Sequence, residues 1–384
     1  MHSNANQTDD PIPKSLTSSF IHSGRWKAIP ALTLLGLTQL ASMQEWPTLI
    51  CFIVSATGII PIALLLSDAT EEIAEHSGPT IGAICTAVFG NFAEFIIALS
   101  ALRLGLIDVV KASITGAILS DLLLVTGVAM LVGGLKYSEQ SFQETMVRTN
   151  GAAMTLAVMA MALPASLIST SGIDDPVAIH GLSMTVAVIL IAIYFFTLIF
   201  SLATHNHLFD PQHIQNDDAE PSQTTESDIN LPSWIIQLIL STALLAYQSE
   251  SFVHFLEPAT EQLGFSALFT GIIIIPIIGG FSEYVPAVKG AWKDQMDLPI
   301  SLAMGSSLLV ALLIAPALIL IGSLIGQPMN LDFTAFEVIA LIFSVLIVNV
   351  INMDAKSNWL EGVLLLATTS RGWVRMSQTL GTNT

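Results

Sequence analysis

The chain is a succession of long apolar stretches separated by short polar breaks: Ala28–Met43, Pro47–Leu66, Gly78–Leu102, Ser113–Gly133, Asn150–Ile168, Val177–Thr204, Trp234–Phe252, Phe265–Gly290, Ile300–Ile325 and Phe333–Asn352. About 20 apolar residues carry a helix across the ~30 Å hydrocarbon layer, and no soluble core needs ten such segments. The expected fold is therefore all-α and polytopic in a membrane. A β-barrel would need alternating polarity in segments of ~10 residues, which is absent. Charge agrees: 11% of the 384 residues are Asp, Glu, Lys or Arg, against about 25% in soluble domains. An eleventh segment starts at Trp359 but is apolar only to Ala367. That is too short to cross, so the last helix is expected to be shortened, re-entrant or packed inside the bundle.

The remaining charge is lopsided, with 30 acids against 12 Lys plus Arg and a net charge of −18, which argues against nucleic acid as a partner. Six acids (Asp210, Asp217, Asp218, Glu220, Glu226 and Asp228) lie in one polar interruption without Lys or Arg. Such a segment reads as a self-repelling linker. The expected organisation is a polar tail (1–27), a leading helix (28–46), a first five-helix repeat (47–204), an acidic linker (205–232), a second five-helix repeat (233–370) and a polar tail (371–384). Lys14, Arg25, Lys27, Lys136, Arg148, Lys289, Lys293 and Lys356 fall on the side of the N-terminus. Arg103 and Lys111 fall on the other, joined by Arg371 and Arg375 if the eleventh segment crosses. The positive-inside rule then makes the N-terminus and the acidic linker cytoplasmic. Cys51 and Cys85 both lie in apolar runs and read as small buried hydrophobes.

Self-similarity locates the chemistry. Gly90-Asn91-Phe92-Ala93-Glu94-Phe95 in the third span and Gly279-Gly280-Phe281-Ser282-Glu283-Tyr284 in the eighth share the pattern Gly-x-Phe-small-Glu-aromatic. Each motif occupies the second span of a five-span unit, and an odd span count places the two copies in opposite orientations. Inverted repeats that meet at the midplane are the layout of secondary transporters. A carboxylate at mid-span costs about 2.5–3.5 kcal/mol even on the lenient insertion scale, so Glu94 and Glu283 are read as functional. Asp121 is a third intramembrane acid, with the same cost. Gly90, Gly279, Gly280, Pro276 and Pro286 loosen the helices and free backbone carbonyls. Carboxylates plus carbonyls form a hard-oxygen site suited to Ca²⁺, and mid-span histidines that would suit softer metals are lacking.

At these residues the chain resembles the calcium/proton exchanger family of the cation/calcium exchanger superfamily. The segments Pro79–Tyr137 and Gly271–Asn330 look like the family's two α-repeats, and the resemblance extends from Pro61 to about Leu366. It implies one leading helix plus two inverted five-helix repeats that exchange Ca²⁺ for H⁺ by alternating access. Glu94 and Glu283 correspond to the two central metal-binding glutamates, Asn91 to an amide ligand, and Ser120, Ser306 and Ser307 to polar positions on the following helices. Glu71, Glu72 and Glu75 resemble an acidic cytosolic helix that collects cations. Gly280, Tyr284, Leu309 and Asp121 depart from the usual Asn, His, Gln and Asn.

The expected mechanism is competition between ion and protons for the midplane glutamates, with Asp121 either remaining protonated or adding to the proton count. Ca²⁺ and protons are cargo and no cofactor or enzymatic activity is expected; the lipid bilayer is a partner, and a homo-oligomer is compatible with the sequence. The expected location is a bacterial inner membrane, with a vacuolar membrane as the alternative. The competing functions are an exchanger of altered selectivity (Na⁺ or Mn²⁺) and a transport-deficient scaffold or regulatory homologue.

Overall fold

The computed structural model describes residues 27–77, 82, 85–86, 88–171, 175–201 and 231–379. The expected N-terminal tail, apart from Lys27, and the acidic linker, apart from Leu231 and Pro232, lie outside these residues. Twelve helices account for nearly all of the described chain: α1 (Ala28–Met43), α2 (Thr48–His76), α3 (Phe92–Arg103), α4 (Ile107–Gly134), α5 (Glu144–Ser171), α6 (Pro176–Ile199), α7 (Leu231–Gln262), α8 (Ala267–Gly279), α9 (Phe281–Trp292), α10 (Asp297–Leu324), α11 (Ala335–Ile351) and α12 (Trp359–Thr379). Among the described residues, seven are long and apolar enough to cross a membrane, or eight if α8 and α9 form one bent span. The protein is thus an integral, multi-pass membrane protein.

α2, α5 and α7 overrun their apolar windows because backbone hydrogen bonding continues once a helix is established, whatever the side-chain polarity. α2 runs to His76, ten residues past Leu66. The last segment differs most from expectation. Helical geometry continues to Thr379, so α12 is not shortened as a helix; only its apolar part is short. Its first turns pack directly on α4. A Cβ placed at Gly362 would stand 2.4 Å from Leu131 N, and one at Gly134 2.3 Å from Trp359 N. Small residues let the two backbones approach this closely, and packing holds the segment where hydropathy alone would not.

Glu94 and Glu283 are 189 residues apart, and at nearly the same offset α4 and α10 each carry a π-helical segment, Ser120–Val125 and Val310–Ile314. Such wide turns inside α-helices frequently mark functional sites. Polar clasps join the two halves of the chain at both ends of the bundle. At the end where α6 stops and α7 begins, Gln140 Nε2 donates to Ala291 O and to Asp294 Oδ1, both at 2.9 Å. There Gln143 N donates to Asp297 Oδ1 at 2.6 Å, and Gln140–Ser141 (β1) pairs antiparallel with Lys356–Ser357 (β2). At the opposite end, Lys111 Nζ donates to Asn330 Oδ1 at 2.6 Å and to Asp332 O at 2.8 Å. α1, α2 and α7 are joined by Gln248, whose Nε2 donates to Thr38 Oγ1 and to Ser55 O.

Candidate ion-binding site

Glu94 and Glu283 occupy equivalent places because each follows a break in its helix. Gly280 separates α8 from α9 at a bend of 62°. The corresponding turn falls at Gly90 and Asn91, just before α3. Each glutamate lies in the first turn of the half-helix that follows its break. A half-helix N-terminus favours negative charge nearby, while the end of the preceding half-helix frees carbonyl oxygens. A side chain would crowd the backbone at both breaks. A Cβ would stand 2.6 Å from Thr86 O at Gly90 and 2.9 Å from Pro276 O at Gly280. Pro276 opens α8's last turns, and Pro286 lies inside α9.

Close crossing of α4 and α8 brings the elements together. A Cβ at Gly116 would meet Ile272 O at 2.5 Å, and one at Gly271 would meet the Ala112 Cβ at 2.4 Å. The π-helical turn then presents Ser120 and Asp121 to the break in the other repeat. Asn91 Nδ2 donates to Ser306 Oγ. A serine hydroxyl has one proton, and Ser306 donates it to Asp121 Oδ2 at 2.5 Å. Asp121 and Glu283 adjoin each other, with Ser306 beside both. Ser307 lies beside Asp121 without a formed hydrogen bond. The Tyr284 hydroxyl and Ser120 Oγ are 2.5 Å apart.

The structure thus gathers Asn91, Glu94, Ser120, Asp121, Glu283, Ser306 and Ser307 from both repeats around one buried centre. Asp121 and Glu283 are only 5% and 6% exposed. The Oε2 atoms of Glu94 and Glu283 are buried and accept no hydrogen bond from the described residues. Acceptors of this kind, clustered without compensating Lys or Arg in contact, are the complement of a cation. Beside Glu94 is a cavity of about 10 Å³, roughly the space of a single water, lined by Ala98, Ser113, Ala117, Ile275 and Pro276. Ser113 Oγ itself donates to Val110 O and is locally satisfied.

Glu71, Glu72 and Glu75 are not part of this centre. They stand in the last turns of α2, where Glu72, Glu75 and His76 come within reach of one another at the surface. The sequence reading missed the role of Tyr284 as a cross-repeat contact. Its position directly after Glu283 was the available signal, since a polar-tipped aromatic at that depth needs a partner.

With this geometry in view, the similarities to known proteins are specific. The sodium/calcium exchanger protein family matches residues 47–203 and 233–368. A Ca²⁺/H⁺ antiporter of Aphanothece halophytica is 46% identical over 345 residues, covering 88% of this chain and 92% of that protein. The Ca²⁺/H⁺ antiporter ChaA of Bacillus subtilis is 36% identical, covering 86% and 93%. The solved structure of native YfkE superposes with a TM-score of 0.77 at 31% identity, covering 91% of this chain and 98% of YfkE. The H⁺/Ca²⁺ exchanger CAX shares the fold at a TM-score of 0.68 and 14% identity, covering 93% and 92%. On its own residues and on these matches, the chain belongs to the sodium/calcium exchanger protein family.

Proposed function

We propose that the chain is a secondary active transporter that exchanges Ca²⁺ for H⁺ by alternating access, the ion and protons competing for Glu94 and Glu283. The observation that carries this reading is the buried three-carboxyl centre, with unpartnered oxygens on both glutamates. The Ca²⁺/H⁺ antiporters at 46% and 36% identity support the choice of ions. Glu94 and Glu283 supply negative oxygens, Asn91 an amide oxygen, and the breaks in the helices backbone carbonyls. Hard oxygens in that number suit Ca²⁺. With the ion gone, like charges in a low-dielectric centre cannot all persist, so protons take its place. A centre filled by the ion or by protons, but not both, exchanges one for the other if its empty charged form cannot switch sides.

Asp121 adjoins Glu283, and we assign one shared proton to that pair in both loaded forms. Three carboxyls then present two net negative charges, the number that one divalent ion neutralises. The domain reading accompanies this: a leading helix (α1) and two inverted repeats, with N-terminus and linker on the cytoplasmic side of a bacterial inner membrane. One observation favours a second reading, altered selectivity. A Cβ at Gly280 would lie 3.4 Å from Glu94 Oε1, so the glycine leaves the carboxylate without a side-chain ligand from that position.

The test is ⁴⁵Ca²⁺ uptake into proteoliposomes under an imposed pH gradient, with Mn²⁺, Na⁺ and K⁺ as competitors. Uptake that follows the gradient supports exchange with protons. Uptake indifferent to it removes proton coupling, and preferential competition by Mn²⁺ or Na⁺ selects the second reading.

A further inference from the structure

Tyr284 follows Glu283 directly, yet competition between ion and protons gives it no part. Its ring leans back along α9, as side chains in helices do, so that Cε2 comes 3.9 Å from where a Cβ on Gly280 would stand. The same side chain packs against Val125, Ala287 and Ala303. Val125 lies four residues beyond Asp121 in α4, Ala287 four beyond Glu283 in α9, and Ala303 three before Ser306 in α10. Each is about one helical turn from the buried centre. All three lie on the same side of it, toward the end of the bundle where α6 stops and α7 begins. Tyr284 is partly exposed, whereas Ser120, Asp121, Glu283, Ser306 and Ser307 are buried.

The opposite side of the centre is built differently. The cavity of about 10 Å³ beside Glu94 lies there, walled by Ser113 and Ile114 ahead of Ser120 in α4 and by Ile275 and Pro276 ahead of Gly280 in α8. The residue at the 189-residue offset from Tyr284 is Phe95. It carries no hydroxyl, and its ring stands 5.6 Å from that of Phe92. The Tyr284 hydroxyl, by contrast, bonds Ser120 Oγ and so ties α9 to α4.

We infer that Tyr284 is the gate on the linker side of the centre: its ring closes the route to the carboxyls, and its hydroxyl latches that ring to Ser120. The inference rests on the proposed alternating access, in which the centre opens to each side in turn. Opening toward the linker parts α9 from α4, so the latch breaks before an ion enters or leaves there. Phe95 cannot form such a bond, and the latch therefore biases the unloaded chain toward the form closed on the linker side.

The test reads opening without transport. A Ser307→Cys reporter, in a chain lacking Cys51 and Cys85, is labelled with a membrane-impermeant cationic methanethiosulfonate in vesicles sorted by which end of the bundle faces outward. Tyr284→Phe keeps the ring and removes the latch. One neutral hydrogen bond shifts an equilibrium by a factor of about 2–10, so labelling from the linker side should quicken about 2–10-fold while labelling from the other side does not. Ser120→Ala should act in the same way, and the double variant should label no faster than either single one, because both substitutions remove the same bond. Unchanged labelling from the linker side, equal acceleration from both sides, or additive effects of the two substitutions overturns the gate. The sidedness in either single variant carries the test if the other fails to fold. Exchange is read separately: ⁴⁵Ca²⁺ uptake indifferent to the pH gradient, with the sided labelling as expected, removes proton coupling and leaves the gate standing. Unsided labelling with gradient-driven uptake removes the gate alone.

Discussion

The shared proton assigned to Asp121 and Glu283 makes a quantitative prediction about coupling. If that proton stays with the pair, each cycle moves two protons against one Ca²⁺. One pH unit is worth 1.36 kcal/mol per proton, about 2.7 kcal/mol for two. At equilibrium this sustains a Ca²⁺ gradient of about 100-fold. If all three carboxyls exchanged their protons, the same pH step would sustain about 1,000-fold. The cycle would then move one net charge, worth about 2.3 kcal/mol per 100 mV, a further factor of about 50. The assay is the steady-state Ca²⁺ ratio across proteoliposomes at a one-unit pH difference, with K⁺ and valinomycin setting the potential to zero or 100 mV. We expect about 100-fold at both potentials, for the wild type and for Asp121→Asn alike. A wild-type ratio near 1,000, a dependence on potential, or a fall from about 1,000 to about 100 in Asp121→Asn would refute the shared-proton assignment.

Three further outcomes are expected. Glu94→Gln and Glu283→Gln should each abolish exchange, and transport at the wild-type rate in either variant would sink the proposed mechanism. Ser306→Ala removes both the acceptor of Asn91 and the donor to Asp121; hydrogen bonds to charged groups are worth about 1.5–3 kcal/mol, so Ca²⁺ affinity should fall by about 10–100-fold in an equilibrium binding titration. Gly116 and Gly305 are matched by the 189-residue offset but differ in surroundings. A Cβ at Gly116 meets the Ile272 backbone at 2.5 Å and one at Gly305 meets nothing within 4 Å, so Gly116→Ala should lower the melting temperature and slow transport while Gly305→Ala is silent.

Much of the fold was legible because a membrane imposes a single strong requirement. Every spanning segment must be helical and apolar, so the windows Ala28–Met43 and Phe333–Asn352 coincide with α1 and α11 almost residue for residue. The burial of the two glutamates was legible for the converse reason, since each lies inside such an apolar window. The length of α12 was not legible. Hydropathy ends at Ala367, whereas the helix is held by backbone contact at Gly134 and Gly362, and contact distance is a tertiary quantity. The bend at Gly280 could be anticipated as a weakness but not as an angle.

The pairing of side chains was also invisible in one dimension. That Ser306 links Asn91 to Asp121, and that Tyr284 meets Ser120, depends on helices packing together across 164 to 215 residues of chain. The sequence by itself determined a helical membrane protein with acids inside its apolar segments, because hydropathy and the cost of charge in lipid are properties of single segments. Only the tertiary structure decided that three carboxyls share one centre, because that depends on which helices come within a few ångströms of each other.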